Sequence, residues 1–336
     1  MTLLIIGAGR MGIRHCIGAL QVREIFKICI CDINDPSLYN AKQQLSSDAN
    51  YNKLIFCKTD EVKGHFDFVI IASTADSRIA TCRLVLNFSP SQILIEKPLG
   101  QSLEEVKNII DFLSNENVNV SVNLNMRMYP FIKRLKSDLT TLPQFKIINS
   151  INYQGGTLGI GANGIHYLDI LFFLFGASRA EVAAGEIDSE LIPSGRGEQF
   201  ADFGGWACFK FYDDSNNFIG RSLFSLSATS TVFGGWEIIG THGRIRINEL
   251  EGERINILRK AESTLPINRY AGDYLRADIG KIESPFLGDL TKEWISGIIE
   301  KGENNLPLLH DTLKVHELLF QWLALSKTYK EKFPIT

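Results

Sequence analysis

Residues 2–12 read TLLIIGAGRMG. Residues 3–6 are an unbroken apolar run, the pattern of a central parallel strand covered on both faces. They feed Gly7-Ala8-Gly9-Arg10-Met11-Gly12, and a helical pattern follows with Ile13, Ile17 and Leu20 on one face. In such a strand–turn–helix unit Gly7 makes the tight turn, Gly9 lets backbone approach a pyrophosphate, and Gly12 allows helix and strand to pack closely. Arg10 and Met11, inside the loop, join the same cofactor-binding set. The helix N-terminus adds free N–H groups and the positive end of its dipole.

Working outward, a second strand over residues 26–30 ends at Cys31-Asp32. Asp32 stands twenty residues beyond Gly12, where a carboxylate binds adenosine ribose hydroxyls and repels a 2′-phosphate. The constellation favours NAD over NADP. The competing reading of Asp32 is a turn or cap ahead of Asn34-Asp35-Pro36. Strand–helix alternation then continues. It comprises a helix over 36–45, strands over 54–57 and 66–72, a helix over 78–86 and a strand over 92–95. A helix opening at Ser102 with Glu105 as a capping box and a strand over 118–124 complete it. Ligands of an open α/β sheet sit beyond the carboxyl ends of its strands, so Ser73, Thr74 and Asp76 are expected to touch the cofactor. The strand within ILIEKPLG, residues 93–100, delivers Lys97 to the same edge; the plainer alternative is a surface lysine in an ordinary turn.

Composition sets outer limits. A chain of 336 residues suggests two domains. Hydrophobic residues at 45% and charged residues at 22% supply a large core. The net charge of -3, without a basic tail or basic helix face, argues against nucleic acid as a partner. No apolar run is long enough to span a membrane. The N-terminus reads as strand and not as a leader, so a cytoplasmic protein is expected. The six cysteines are Cys16, Cys29, Cys31, Cys57, Cys82 and Cys208. They lack zinc-type spacing and read as buried thiols in a reducing compartment, with no metal required.

GAGRMG, CDIN, IAST and above all IEKPLG followed by VNLNMRMYP resemble the Gfo/Idh/MocA family of NAD(P)-dependent sugar oxidoreductases. The resemblance implies an α/β protein. A doubly wound Rossmann domain over residues 1–124 precedes an α/β domain over 125–336, which carries a large, mostly antiparallel open-faced sheet for substrate binding and oligomerisation. It implies that Lys97 is catalytic and meets both substrate and cofactor, that Glu96 lies in the cofactor region, and that Asn125 and Arg127 reach the substrate. His166 matches the family's general acid/base, and Asp169 the aspartate that follows it. Four residues before His166 stands Ala162, where many members carry aspartate; Asn163, its neighbour, is counted with the substrate-binding set.

The second half reads as a strand over 145–153, a glycine-rich loop over 155–164 and a helix over 165–175. On that helix His166 and Asp169 share a face. Strands follow over 203–212, 218–228, 231–239 and 244–248, with polar excursions over 193–199 and 261–284 and helices over 289–300 and 311–330. Phe233 and Trp236 either wall a sugar site or belong to the core. A broad sheet with one free face predicts a homodimer or homotetramer. The expected activity is hydride transfer between nicotinamide and a hydroxyl or keto carbon of a sugar, polyol or sugar derivative. The alternatives are a non-catalytic dinucleotide- or sugar-binding regulator and an NAD-using redox-neutral lyase or glycosidase.

Overall fold

The computed structural model describes residues 1–156, 159–227, 230–264 and 273–336. In chain order the first elements are β1 (Thr2–Ile6), α1 (Arg10–Leu20), β2 (Lys27–Asp32), α2 (Asp35–Leu45), β3 (Leu54–Lys58), β4 (Phe68–Ile71), α3 (Arg78–Leu86), β5 (Gln92–Ile95), α4 (Leu103–Ser114) and β6 (Asn119–Val122). Then come α5 (Pro130–Thr141), β7 (Ile148–Gly156), α6 (Ile165–Phe175), β8 (Arg179–Pro193), β9 (Ala201–Tyr212), β10 (Phe218–Ser227) and β11 (Gly235–Gly240). The last are β12 (Gly243–Asn248), β13 (Glu253–Arg259), β14 (Tyr274–Lys281), α7 (Leu287–Lys301) and α8 (Leu313–Leu323).

Two compact units form. The first comprises Met1–Met128, Pro285–His316 and Ile335–Thr336. Its six parallel strands run in the order β3-β2-β1-β4-β5-β6, the doubly wound order whose topological switch falls between β1 and β4. Leu3, Leu4 and Ile5 are fully buried, so β1 is covered on both faces and its sequence does not alternate. The helix after Ser102 starts as predicted, with Ser102 Oγ accepting from Glu105 N–H at 3.1 Å. The return bond differs from a capping box: the Glu105 carboxylate takes the N–H of Gln101, one residue earlier, at 2.7 Å. The sequence reading carried the second domain from 125 to the end of the chain. Instead α7 packs with the Rossmann strands and α1, because Thr291 bonds His15 at 2.8 Å and the Trp294 ring meets Phe68 edge-on at 5.8 Å.

The second unit comprises Tyr129–Ser284 and Glu317–Pro334. Its eight strands run β14-β13-β12-β11-β7-β10-β9-β8 and are antiparallel except for the β7–β10 pair. Strict alternation in β12, GRIRIN, buries one face and exposes the other. The buried face packs the rings of Phe209 and Phe224 against Trp322 at 5.4 and 5.8 Å. The opposite face leaves Trp206 45% and Leu223 56% exposed.

Several boundaries differ from the sequence reading. The run over 179–193 had no assignment, yet it forms β8, an edge strand whose register shifts twice against β9. Those bulges scramble the period-two pattern that marks a strand. Part of the 261–284 excursion is β14, a polar edge strand beside β13; residues 265–272 of that stretch lie outside the described residues. The 231–239 strand begins only at Gly235, and the 218–228 strand is described to Ser227. The 145–153 strand starts later because Pro143 opens a short helical turn. The terminal helix stops at Leu323, followed by a turn in which Ser326 Oγ accepts from the N–H groups of Thr328 and Tyr329.

Candidate active site

The glycine loop sits at the switch point. Gly7 adopts φ +104°, the left-handed region that favours glycine. An added Cβ there would stand 2.9 Å from the Ala72 carbonyl at the end of β4, and one at Gly12 would overlap the Gly7 carbonyl oxygen. The loop is therefore tight on its protein side. Gly9 is different: its φ is -73° and a Cβ added there meets no atom within 4 Å. None of the described residues requires a glycine at 9, and the open space lies over the N-terminus of α1. That helix has neither a capping side chain nor an acid in its first turn, so its N–H groups remain available for an anion. Arg10 and Met11 begin the helix, with Arg10 exposed. Asp32 ends β2, where its carboxylate accepts from Ala8 N–H at 2.8 Å and Asn34 N–H at 2.9 Å. The predicted ribose ligand is thereby tied to the glycine loop itself. A dinucleotide fits this set: an open cradle for the pyrophosphate and a fixed carboxylate for the ribose.

Beyond β4, Ser73 adjoins the Gly7 turn through its backbone nitrogen. Asp76 instead lines a groove of about 390 Å³ between α3 and α4 with Ile79, Arg83 and Glu105. Beyond β5 lies the turn that carries Lys97. Glu96 and Lys97 are both buried, at 1% and 5% exposure, and the Lys97–Pro98 peptide is cis. Glu96 Oε1 receives Asn123 Nδ2 at 2.6 Å and His15 Nε2 at 2.9 Å. Burial alone would raise this carboxyl. The His15 hydrogen bond, the charges of His15 and Lys97 and the Asn123 bond outweigh it and hold Glu96 well below the usual carboxylate range. Asn125 is buried and Arg127 half-buried on the short turn Asn125–Met128.

In the second unit, the chain enters α6 through a wide helical turn, Ile160–Gly164, in which the N–H groups of Asn163 and Gly164 both reach the Gly159 carbonyl at 2.9 Å. Asn163 is half-buried in this turn. His166 and Asp169 follow one turn apart, both buried. Ala162 has a carboxylate beside it from a distant part of the chain. Asp202 of β9 accepts from Gly161 N–H at 2.7 Å, Ala162 N–H at 2.6 Å and Phe203 N–H at 2.8 Å. No sequence signal marked Asp202, because it lies forty residues from Ala162 on a strand read only for its apolar content. Trp236 resolves as core. It is 2% exposed and stacks on Tyr167 at 5.4 Å between ring centres. Its indole donates to Glu249 at 2.9 Å, as do the hydroxyls of Tyr153 at 3.0 Å and Tyr167 at 3.2 Å. Burial raises the Glu249 carboxyl despite those three donors. Phe233 is half exposed.

Residues 1–124 match the sequence profile of the oxidoreductase family with an NAD-binding Rossmann fold. Those residues are similar to the NAD-binding domain of the Gfo/Idh/MocA family. The first unit is accordingly an NAD-binding Rossmann domain. No curated protein matches the chain. Among solved structures, it is similar to an oxidoreductase from Agrobacterium radiobacter in complex with NAD+, L-tartaric acid and magnesium. That match has 16% identity and a TM-score of 0.70 over 95% of this chain and 94% of that one. It is similar also to UDP-N-acetylglucosamine 3-dehydrogenase from Acidithiobacillus ferrooxidans, at 15% identity and a TM-score of 0.67 over 96% and 97% of the two chains. A third is GenD2 from gentamicin A biosynthesis in complex with NAD, at 13% identity and 0.69 over 98% and 94%. At these identities the likeness carries the fold.

Proposed function

We propose that the protein is an NAD-dependent dehydrogenase or reductase acting on a hydroxyl or keto carbon of a sugar, polyol or sugar derivative. The observation that carries this reading is a buried lysine, Lys97, set beside a buried carboxylate at the carboxyl end of β5 in an NAD-binding Rossmann sheet. Ligands of such sheets sit at that edge. NAD, when bound, supplies the hydride acceptor.

The chain's own residues do the rest. Gly7, Gly9, Arg10, Met11 and Gly12 hold the pyrophosphate, Asp32 the adenosine ribose, and Ser73, Thr74, Asp76 and Glu96 the remainder of the cofactor. Lys97 Nζ holds the reacting oxygen and stabilises it as alkoxide character develops. The His166 imidazole takes the hydroxyl proton on oxidation and returns it on reduction. Asn125, Arg127, Asn163 and Asp169 bind substrate hydroxyls. The first unit serves as the cofactor domain and the second as the substrate domain. The exposed Trp206 and Leu223 face supports a homodimer or homotetramer through the second sheet. Six free thiols suit a cytoplasmic setting.

The test is a screen of sugars, inositols and nucleotide sugars, followed by nicotinamide absorbance. A turning-over substrate is expected. Lys97→Met should cut kcat by about 100-fold or more, and His166→Gln should remove the acidic limb of the pH–rate profile for oxidation, where protonation silences the base. Turnover without net NADH would replace this reading with a redox-neutral enzyme, and NAD binding without turnover would replace it with a regulator. Near-normal Lys97→Met turnover would sink the lysine's role.

A further inference from the structure

Two histidines buried beneath the Lys97 turn take no part in the chemistry above, and both are completely shielded from solvent. Each touches the turn on a different side of Lys97. His15, on α1, reaches Glu96, the residue before. His316, on α8, reaches Leu99, two residues after.

Hydrogen-bond accounting fixes the protonation of each ring. The Thr291 hydroxyl has one proton, and it donates that proton to the Leu287 carbonyl at 3.1 Å. At the 2.8 Å contact with His15 Nδ1 it can therefore only accept, so Nδ1 carries a proton. On the other side, Glu96 Oε1 accepts from both Asn123 and His15 Nε2. The second carboxylate oxygen, Oε2, is buried and meets no partner among the described residues. The hydrogen bonds from His15 and Asn123 and the charge of Lys97 hold the Glu96 carboxyl well below its usual range, so Glu96 is anionic and Nε2 is a donor as well. With both nitrogens donating, His15 is an imidazolium. His316 gives the opposite result. Its Nδ1 faces the Thr312 carbonyl at 2.9 Å and must donate, while its Nε2 receives the Leu99 backbone N–H at 3.1 Å and must keep its lone pair. A second proton would set N–H against N–H in a site without water access. The charge of Lys97 acts on Glu96 from the same turn.

We propose that His15, which donates from both ring nitrogens, and His316, which donates from one and accepts at the other, are positioning residues that clamp the Glu96–Leu99 turn and so fix where Lys97 stands. The clamp's functional part rests on the reading of Lys97 as catalytic; its protonation pattern does not. Opposite charge states suit the two partners: a carboxylate takes a cationic donor and a backbone N–H takes a neutral acceptor.

The test is long-range 1H–15N correlation spectroscopy of histidine-labelled protein saturated with NAD, from about pH 5 to about pH 9, a range that spans ordinary histidine titration. One ring should carry protons on both nitrogens near neutral pH and shift in Thr291→Val. Another should remain neutral with its proton on Nδ1 at the lower end and disappear in His316→Gln. In turnover, Thr291→Val should lower kcat about 10-fold with the NAD Kd within about 2-fold. His316→Leu should do the same, and His316→Gln, which restores an acceptor for Leu99, should recover most of the rate. If either ring shows the opposite donor and acceptor pattern, the clamp is overturned. NAD affinity and kcat falling together would reduce it to a folding role. Should Lys97→Met turn over normally, the catalytic reading fails by itself and the spectra still decide the clamp.

Discussion

Two turns carry the proposed chemistry, and each is held by a buried carboxylate, but the two are built from opposite materials. The Lys97 turn hangs on Glu96, whose partners are side chains: His15 and Asn123. The turn that leads into His166 hangs on Asp202, whose partners are the backbone N–H groups of Gly161, Ala162 and Phe203. A side-chain network depends on the identity of every member and can titrate. A backbone network depends on chain path, and most substitutions among its donors leave it intact. The first therefore concentrates risk in single residues, and the second concentrates it in Asp202 alone.

The comparison can be broken at either end. The largest effect should come from His15→Ala, which strips the buried Glu96 carboxylate of its imidazole partner and leaves it the Asn123 bond. Denaturant unfolding should register a loss of about 3–5 kcal/mol. Next comes the pH response of His316. Burial pushes this ring down to about 4, against the backbone bond to Thr312 that raises it. Between that value and the ordinary histidine pKa of about 6.5, the unfolded chain binds more protons than the folded one, so stability rises with pH. The contribution is complete above about pH 6.5 and is lost as pH falls toward 4, roughly 3 kcal/mol in all. In His316→Gln this part of the stability–pH slope should be gone. Asp202→Asn should cost less, about 2 kcal/mol, since the amide keeps one acceptor oxygen while its NH2 confronts an N–H. Ala162→Ser is the sharpening control: its N–H still reaches Asp202, and stability should stay within about 0.5 kcal/mol. A loss for Ala162→Ser as large as that for Asp202→Asn would mean that side-chain identity matters in both turns.

The same contrast explains what the sequence made legible. The glycine loop, Asp32 and the strand that delivers Lys97 were readable because local sequence determines them: Gly7 needs its positive φ, and β1 needs apolar residues on both faces. His166 and Asp169 share a helix face by spacing alone. Asp202 was not readable, since its partners are backbone groups forty residues away. His15, three residues after Gly12, was in plain view, but its partners Glu96 and Thr291 come from distant segments. Strand β8 escaped for a local reason, its bulges, and the return of Pro285–His316 to the first unit escaped because a helical pattern does not say which sheet it will cover.

The central claim is that the loop from Gly7 to Gly12 cradles the pyrophosphate of NAD, and Gly9 offers the cleanest way to test it. Its φ suits any residue and a Cβ there touches no protein atom, so only a ligand requires the glycine. Calorimetric titration of NAD into the wild type and Gly9→Ala is the measurement. The account predicts tight binding by the wild type, at least about a 10-fold loss in Gly9→Ala, equivalent to roughly 1.4 kcal/mol, and unchanged unfolding stability in the free protein. Equal NAD affinity in the two proteins, or no binding by the wild type, would contradict it.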